Sequence, residues 1–342
     1  MKYIEMLLSI SRSNLLRFTE EMQMPDMKLM SRRQIAGEID KRMRNGKIDD
    51  MIYSFSKDEL ILFRKAIKAS YCYKAQNDEE KRILDYYCRY MLVYYDMQKK
   101  GYIVPEEVGS KILSLSGHNT FSSVQNKRQW IMECIIACVR IYHIFSLNVL
   151  LPVCNKNLIP PLNEKELLSE IGHIPSFKLH AAYRQYMFID NTLEQKDLSA
   201  LSKAVSSRLG YSYPSVQEIH DIFAYGYPVS QQYVQDFTLL VKRKSGLNNV
   251  ESIVRECWKA GNLNNEGKVI KTLSDACSDS SEVIQGLKEF LQSVPKAHLK
   301  GGCGAVKVKP VFYEGSIMIH NEDNNQMVLM ERNAFMQKLM SY

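Results

Sequence analysis

The stretch of sequence that decides the fold class is Trp130-Ile-Met-Glu-Cys-Ile-Ile-Ala-Cys-Val-Arg-Ile-Tyr-His-Ile-Phe-Ser-Leu-Asn-Val-Leu-Leu151. Its apolar side chains are distributed around a helix, and Arg140 and His143 interrupt them. A membrane-spanning helix needs about 20 predominantly apolar residues with few or no charges. We therefore interpret this stretch as part of a buried central helix, Asn126 to Leu147, rather than as a membrane span.

Helix-start signals recur on both sides of the central helix. In a capping box, a serine hydroxyl and a Glu or Gln side chain three residues later satisfy exposed amides of the first helical turn. The sequence contains three such pairs: Ser31 with Gln34, Ser56 with Glu59, and Ser215 with Glu218. At the second pair, Phe55 and Leu60 also stand at the positions of a hydrophobic staple, so a helix is predicted to begin there.

A 3.6-residue repeat of apolar residues predicts the remaining helices. The predicted ranges are Lys57 to Lys68, Glu79 to Gln98, Glu106 to Leu115, Glu164 to Ile171, Glu194 to Leu209, Val216 to Ala224, Gln231 to Lys244, Val250 to Ala260, Lys268 to Ala276 and Glu282 to Ser293. Gly or Pro often stands where such a helix should begin or end, as at Pro105 and Gly210. The predicted fold class is therefore mainly α, with a multi-helical body.

The C-terminal stretch differs, because alternation of apolar and polar residues replaces the helical repeat. The runs Ser316 to Ile319 and Met327 to Met330 flank the turn-rich segment Asn321 to Asn325. Two short apolar runs around such a segment are typical of paired strands. They predict a small C-terminal β-hairpin.

Three domains are predicted from these patterns. Residues 1–45 form an N-terminal helix-extended-helix module, residues 46–154 a helical domain, and residues 164–342 a second helical domain that ends in the small β-hairpin. The linker between the last two is Asn155-Lys-Asn-Leu-Ile-Pro-Pro-Leu-Asn163, where proline and asparagine replace the apolar repeat.

The composition is that of a folded protein with a mild excess of positive charge. The 342 residues include 45 Lys and Arg and 38 Asp and Glu, which gives a formal net charge of +7. Such an excess permits an anionic partner without requiring one.

No two of the eight cysteines form a C-x-x-C or C-x-C pair, so we expect no zinc knuckle but reduced, mostly buried thiols. The apolar run Met6 to Leu8 is too short for a signal peptide, and we expect a cytoplasmic protein.

Residues Ser11 to Arg44 combine a short helix, an extended connection and a second helix that starts at Ser31. The residues predicted to lie inward are Leu15, Leu16, Phe18 and Met22 in the first helix and Ile35, Ile39 and Met43 in the second. This order of elements resembles the SAP-like module at the N-terminus of transcription termination factor Rho. The residues that carry the resemblance are Leu15, Phe18 and Met22, together with Met30-Ser-Arg-Arg-Gln-Ile-Ala36 and Ile39.

The resemblance implies a small helical platform that touches nucleic acid through basic side chains at the start of the second helix. The corresponding side chains here are Lys28, Arg32, Arg33, Lys41, Arg42 and Arg44. Cations that neutralise phosphates release counterions and so supply sequence-independent affinity. The alternative is a solvated helix face, because residues 1–45 carry nine Lys and Arg against six Asp and Glu, a net charge of +3.

Two later segments carry a second resemblance. They are Tyr102-Ile-Val-Pro-Glu-Glu-Val108, after a tyrosine-rich helix, and Ser293-Val-Pro-Lys-Ala-His-Leu-Lys-Gly301, after a late helix. Their order is similar to that in a group of bacterial helical proteins of unassigned function that often end in a zinc-binding SEC-C tail. No Cys-rich tail follows Gly301 here, so the role of that tail is not implied for this chain.

We identify no catalytic, metal or cofactor site in the sequence. The loop Gly301-Gly-Cys-Gly304 lacks the spacing of a phosphate-binding loop and is interpreted as a turn. The histidine pairs, His173 with His180 and His298 with His320, lack the i, i+4 spacing of a metal site. The tyrosines between residues 71 and 95 are interpreted as helix-contact residues rather than as base-stacking platforms.

We therefore expect a non-enzymatic, cytoplasmic binding protein of bacterial type, either nucleic-acid binding or regulatory. Its N-terminal basic module and helical body would engage DNA, RNA or a protein partner. The alternative is a helical protein-interaction scaffold with no nucleic-acid role. Such a scaffold would present an exposed apolar patch of several hundred Å2 rather than a continuous positive surface. No cofactor and no membrane partner are predicted.

Overall fold

The computed structural model of the chain describes residues 1–22, 24–69, 72–184, 187–193, 201, 211–245, 250–265, 267, 273, 281–297, 301, 316–321 and 326–331. Contacts divide the chain into two compact units. Unit 1 comprises Met1–Met132 and Lys165–Leu179, and unit 2 comprises Glu133–Glu164 and His180–Tyr342. The predicted linker, residues 155–163, lies within unit 2, and the predicted division into three domains stays a prediction.

The described part of unit 1 is helical apart from one pair of short strands. Its helices are α1 (Tyr3–Ser9), α2 (Arg12–Glu21), α3 (Arg32–Arg42), α4 (Ile48–Tyr53), α5 (Lys57–Lys68), α6 (Asp78–Arg89), α7 (Glu106–Leu115), the first part of α8 (Phe121–Tyr142) and, apart from its first residue, α10 (Glu164–Gly172). A π-helical turn, Met43–Lys47, joins α3 to α4, and a 3-10 turn, Ser176–Lys178, follows α10. Strands β1 (Tyr94–Asp96) and β2 (Gly101–Ile103) pair antiparallel.

Unit 2 combines helices with two small antiparallel sheets in its described residues. Its elements are the rest of α8, β3 (Ile144–Ser146), α9 (Leu147–Cys154), β4 (Ala181–Arg184), β5 (Met187–Asp190), α11 (Val216–Tyr225), α12 (Gln232–Ser245), α13 (Glu251–Asn262), α14 (Ser281–Ser293), β6 (Ser316–Asn321) and β7 (Gln326–Glu331). One sheet has the order β3-β5-β4, and β6 pairs with β7. Residues 322–325 lie outside the described residues, so the predicted C-terminal hairpin as a whole stays a prediction. The mainly α fold class is confirmed.

One continuous apolar core holds the helices of unit 1 together. It extends from Tyr3 in α1 to Phe121 in α8 and includes the inward residues of α2 and α3. Two helices of about ten residues have too little apolar surface to be stable alone. The N-terminal helices therefore depend on the core that they share with α4 to α7.

A buried ion pair lies within this core. The Lys178 ammonium donates to Glu59 Oε2 at 3.0 Å and to the Ser54 carbonyl at 2.7 Å. The rings of Phe55 and Tyr87 face the same ammonium, with centroids 5.6 and 5.5 Å from Nζ. Glu59 and two aromatic rings thereby tie the end of the segment 165–179 to the start of α5.

Glu59 combines this ion pair with the cap of α5. Its Oε2 accepts from the Ser56 amide at 2.6 Å, and its Oε1 accepts from the Tyr87 hydroxyl at 2.7 Å. Burial alone would raise the pKa of Glu59, but Lys178, the Ser56 amide and the Tyr87 hydroxyl together lower it. Burial lowers the pKa of Lys178, and Glu59 offsets part of that effect. Glu59 is therefore held as a carboxylate.

Aromatic pairs contribute to the core of unit 2. Phe145 of β3 stacks on Phe188 of β5, with ring centroids 5.0 Å apart and planes inclined by 10°. Phe237 of α12 stacks on Phe290 of α14, with centroids 4.2 Å apart. Buried aromatic pairs combine a large apolar area with a preferred ring geometry. These contacts hold β3 on β5 and α12 on α14.

The predicted helix Glu79 to Gln98 is wrong beyond Arg89, where α6 ends. The backbone of Met91 adopts a φ of 56°, which a helix cannot continue through, and β1 follows. The Asp96 carboxylate then accepts from the amides of Gln98 and Lys99 at 2.9 and 3.1 Å and fixes the turn to β2. Tyrosine favours strands as well as buried helix faces, so the apolar pattern alone did not reveal the change.

The central helix begins and ends about five residues earlier than predicted, at Phe121 and Tyr142. His143 takes a φ of 58°, and Ile144 and Phe145 pair with β5 instead of continuing the helix. Buried β-branched and aromatic side chains suit a strand of this kind. Within the described ranges, no helix is long and apolar enough to cross a membrane.

Most of the other helix predictions are confirmed. The bounds of α5 and α7 agree with the predicted ranges, and those of α10 to α14 agree within two residues. All three predicted capping boxes are present, at Ser31, Ser56 and Ser215. The predicted helices at 194–209 and 268–276 fall almost entirely outside the described residues.

Replacing Lys178 with methionine tests the buried ion pair. The variant keeps most of the side-chain volume but leaves the Glu59 carboxylate without its cation, so we expect the free energy of unfolding at pH 7 to fall by about 3 kcal/mol. Urea denaturation measures the change. Because the pKa of Glu59 is lowered in the folded state, its stabilising contribution is complete above its unfolded pKa and is lost as the pH falls through its folded pKa.

The loss should therefore shrink below about pH 4. Combining Lys178→Met with Glu59→Gln should restore part of the stability, since no charge is then left buried without a partner. A single variant as stable as the parent protein would contradict this account of the pair.

Candidate functional site

The N-terminal module is built by α2 and α3 packing through the predicted residues. Leu15 and Phe18 of α2 and Ile35 and Ile39 of α3 are buried, and Met22 packs partly buried against the same core. These two helices are separate and their apolar sides share one core, as predicted. The likeness of the module to that of Rho stays a prediction.

Burial of one side of α3 directs its opposite side to solvent. Arg33, Gly37 and Lys41 follow one another at four-residue spacing and share this outer face. Arg32 precedes them in the first turn, and all four residues are exposed. Within the part of the chain that the structure describes, Arg32, Arg33 and Lys41 have no ion-pair partner. These three are therefore called the free cations of α3.

The other three predicted contact residues are already paired with carboxylates. Lys28 Nζ lies 3.7 Å from Glu20 Oε1, Arg42 Nε lies 2.6 Å from Glu38 Oε1, and Arg44 forms an ion pair with Asp40. Exposed pairs of this kind contribute only ~0–1 kcal/mol to stability. They nevertheless cancel charge locally, so the six predicted residues separate into three compensated cations and three free ones.

The position of Arg32 and Arg33 opposes the usual electrostatics of a helix. A helix N-terminus carries a partial positive charge, so acids stabilise the first turn and cations destabilise it. Helices α4, α5, α6 and α7 have Asp or Glu in their first turns. Helix α3 has no acid there and begins with the two arginines. The two arginines form no ion pair among the described residues, whereas a bound anion would be favoured by the arginines and the helix dipole together.

Gly37 is another feature of this face that the fold does not require. A Cβ added at Gly37 would meet no atom within 4 Å, so packing does not demand glycine. Glycine in a helix interior costs about 1 kcal/mol relative to alanine. It leaves the backbone open to close approach between Arg33 and Lys41. Gly37 was not among the predicted site residues, although its four-residue spacing from both cations is visible in the sequence.

Arg12, at the start of α2, fixes the connection that precedes α3. Its guanidinium donates to the Met30 carbonyl at 3.1 Å and also to the Lys28 carbonyl. The Met30 amide donates to the Met27 carbonyl at 2.9 Å and closes a turn. Leu29 is fully exposed on this turn, and Met30 is 38% exposed. Two apolar side chains therefore lie directly beside the free cations.

The histidines and the glycine loop considered from the sequence do not form a second site in the described ranges. The loop at 301–304 and His298 lie outside the described residues, apart from Gly301. His173 Nδ1 lies 2.9 Å from Asp50 Oδ1 in unit 1. His180 belongs to unit 2, where burial and the charge of Arg140 lower its pKa. No cluster of three or more possible metal ligands occurs among the described side chains.

Two tyrosines of the tyrosine-rich region serve packing contacts within unit 1. Tyr73 and Tyr87 are buried and donate their hydroxyls to the carboxylates of Glu80 and Glu59, both at 2.7 Å. A ring that is buried and hydrogen-bonded in this way is not available as a stacking platform for a base. These two tyrosines therefore stabilise unit 1.

A buried histidine of unit 2 joins three parts of the chain. His143 Nδ1 lies 2.6 Å from Asp190 Oδ2, and Nε2 lies 2.9 Å from Asn262 Oδ1. The Asn262 amide nitrogen donates to the carbonyls of Ile141 and Pro295, which orients its oxygen towards the imidazole. Both ring nitrogens therefore lie within hydrogen-bond distance of side-chain oxygens.

Asp190 is the acidic partner of this imidazole. Burial alone would raise the pKa of Asp190, but hydrogen bonds from His143 and Thr192 lower it. A general base needs a free nitrogen within reach of a substrate proton. With both nitrogens occupied, the role of His143 in this arrangement is structural.

Comparison of the chain with protein-family models, with curated proteins and with solved structures finds no match. A function can therefore be argued only from the site's own geometry. The relevant features are the free cations, the glycine between two of them and the exposed turn.

Replacing Ser31 tests the local structure that positions Arg32 and Arg33. The Ser31 hydroxyl accepts from the Gln34 amide at 3.4 Å, and Gln34 Oε1 accepts from the Ser31 amide at 2.9 Å. We expect Ser31→Ala to lower the free energy of unfolding by about 1 kcal/mol, because an amide of the first turn loses its acceptor. Urea denaturation measures this loss. Ser31→Asp keeps an acceptor and should be at least as stable as the parent, and an unchanged Ser31→Ala variant would contradict the cap.

Proposed function

We propose that this chain is a non-enzymatic binding protein that engages the phosphate backbone of DNA or RNA through the outer face of α3. The observation that carries the proposal is the placement of Arg32, Arg33 and Lys41. They are exposed, have no ion-pair partner among the described residues, and two of them stand where they oppose the helix dipole. Charges that do not serve the fold are best explained by a partner of opposite sign.

The chemistry of these side chains suits phosphate. Arginine presents a planar fork of N–H donors that matches two phosphate oxygens, and lysine adds a point charge. Arg33 and Lys41 are eight residues apart, which corresponds to about 12 Å along the helix axis. That length allows contacts with more than one phosphate. Such contacts supply affinity without sequence preference.

Neutralising the two arginines tests the proposal. We expect the full chain to bind both a duplex and a single strand at low salt, and Arg32→Ala with Arg33→Ala to weaken this binding. For the duplex, each lost phosphate contact should reduce the slope of log K against log salt by about 0.9, so the double variant should lose nearly two units of slope. Filter binding or fluorescence anisotropy over several salt concentrations measures both quantities.

The matched control is Arg64→Ala with Lys81→Ala, which removes the same charge from exposed positions on α5 and α6 that also have no ion-pair partner among the described residues. It should leave the slope within about half a unit of the parent value. The proposal is wrong if the chain binds no nucleic acid at low salt, or if the two double variants behave alike.

Gly37→Ala separates the needs of the fold from those of binding. We expect the variant to raise the free energy of unfolding by about 1 kcal/mol and to weaken nucleic-acid binding, because the methyl group blocks approach to the helix backbone. Gly172→Ala changes another helical glycine that has open space around it and should leave binding unchanged. A more stable Gly37→Ala variant with full affinity would show that the partner does not approach the backbone there.

The second candidate function is a protein-interaction scaffold, which the exposure of Leu29 and Met30 favours. An apolar contact of this kind is insensitive to salt, whereas a phosphate contact is not. In that case Leu29→Ser would weaken the complex, and Arg32→Ala with Arg33→Ala would not. Absence of nucleic-acid binding combined with this result would favour the scaffold.

A further inference from the structure

We propose that unit 2 contains a separate ligand site, a pocket for a small organic monoanion with an apolar body, whose anionic group binds beside Arg255 and Arg140. The site is independent of the proposed function of α3. A medium-chain or aromatic carboxylate is the class of ligand that it fits.

The pocket has the size and the walls of a small-molecule site. Its volume is about 600 Å3, within the range of roughly 300–1,000 Å3 that ligand pockets occupy. Its apolar lining residues are Ala224, Tyr225, Tyr227, Val229, Val234 and Leu239. They come from the end of α11, the segment that follows it, and α12. Arg255 and Glu251 of α13 add charged groups.

Two of the lining residues are apolar and exposed to solvent at the mouth of the pocket. Tyr225 is 57% exposed and Leu239 is 61% exposed, while Tyr227 and Val234 beneath them are buried. Single exposed apolar residues are ordinary, but two large ones at the mouth of one concave pocket indicate a surface that another apolar group can cover.

Gly226 brings two arginines to one side of this region. A Cβ at Gly226 would lie 3.1 Å from Arg140 Nη1 and 3.2 Å from Arg255 Cδ, so both side chains converge on the same point. Gly226 ends α11 with a φ of 90°, a conformation that a side chain would strain. The helix end therefore provides the gap in which the two arginines meet.

The two arginines that meet at Gly226 form no ion pair among the described residues. Arg140 donates to the Ile222 carbonyl, and neither arginine has a carboxylate partner within the described ranges. Burial and then the charge of Arg255 lower the pKa of Arg140, although Asp190 acts in the opposite sense. Asp190 is already engaged by His143 and Thr192.

Glu251 restricts the charge of the ligand. It stands one turn before Arg255 on α13 and lines the same pocket, but forms no ion pair with it in the described structure. Of the charged residues that line the pocket, Arg255 and Glu251 offset each other, and Arg140, which meets Arg255 at Gly226 but does not itself line the pocket, adds one positive charge beside it. One anionic group neutralises it, whereas a dianion would meet the repulsion of Glu251. The apolar walls then cover the body of a monoanion.

Two fluorescent probes that share an apolar body test the site. They are anilinonaphthalene sulfonate, which is anionic, and its neutral counterpart N-phenylnaphthylamine. We expect saturable binding of both to the full chain, with Arg255→Met weakening the anionic probe about tenfold and leaving the neutral probe unchanged. Octanoate should displace the anionic probe at a lower concentration than octanol does.

Two further variants keep the test decisive. Leu239→Ser should weaken both probes, because it removes wall area rather than charge. Lys288→Met removes one exposed positive charge from α14, which does not line the pocket, and should change neither probe. The proposal is overturned if neither probe saturates, if Arg255→Met weakens both probes equally, or if Lys288→Met has the same effect as Arg255→Met. Circular dichroism confirms that each variant is folded.

Discussion

Burial of the apolar side of α3 is the constraint on which the N-terminal site depends. Ile35, Ile39 and Met43 are fully buried in the core of unit 1. Each such side chain stabilises the fold by roughly 1.5–3 kcal/mol, more than a helical glycine or two cations in the first turn cost. Because the helix geometry is fixed, the same burial that holds α3 in place must also turn Arg33, Gly37 and Lys41 to solvent. The core therefore allows an outer face that is unfavourable for the helix itself.

The buried cations of unit 1 are paired with carboxylates, which distinguishes them from the free cations of α3. Lys178 is buried and fully engaged by Glu59, the Ser54 carbonyl and two aromatic rings. Arg128, also buried, lies within 3.4 Å of carboxylate oxygens of both Asp50 and Glu170. Where unit 1 buries a cation it supplies carboxylates, since an unpaired buried charge is costly. The free cations of α3 are tolerated only because water solvates them, and that leaves them available to a partner.

Sequence signals within a few residues predicted much of the helical structure. They did not predict features that depend on contacts between distant residues. The capping boxes and the staple at Phe55 depend on residues three to five apart, and the helices that they predict are present. The strands were missed because Met91 and His143 adopt left-handed backbone conformations that interrupt an unbroken apolar repeat. The basic residues of α3 were predicted, but which of them are free depends on pairing geometry. The convergence of Arg140 and Arg255 on Gly226 depends on tertiary structure and leaves no local pattern.

The two proposed anion sites differ in the physics that would select their ligands. The cations of α3 lie on an open helix face, where water and salt screen each charge, so affinity there requires several phosphates acting together. The arginines of unit 2 lie beside apolar walls, where screening is weaker and one charge has a larger effect. A polymer of phosphates suits the first arrangement, because it offers many weak contacts in series. A single small anion suits the second, because its apolar body supplies the remaining affinity by leaving water.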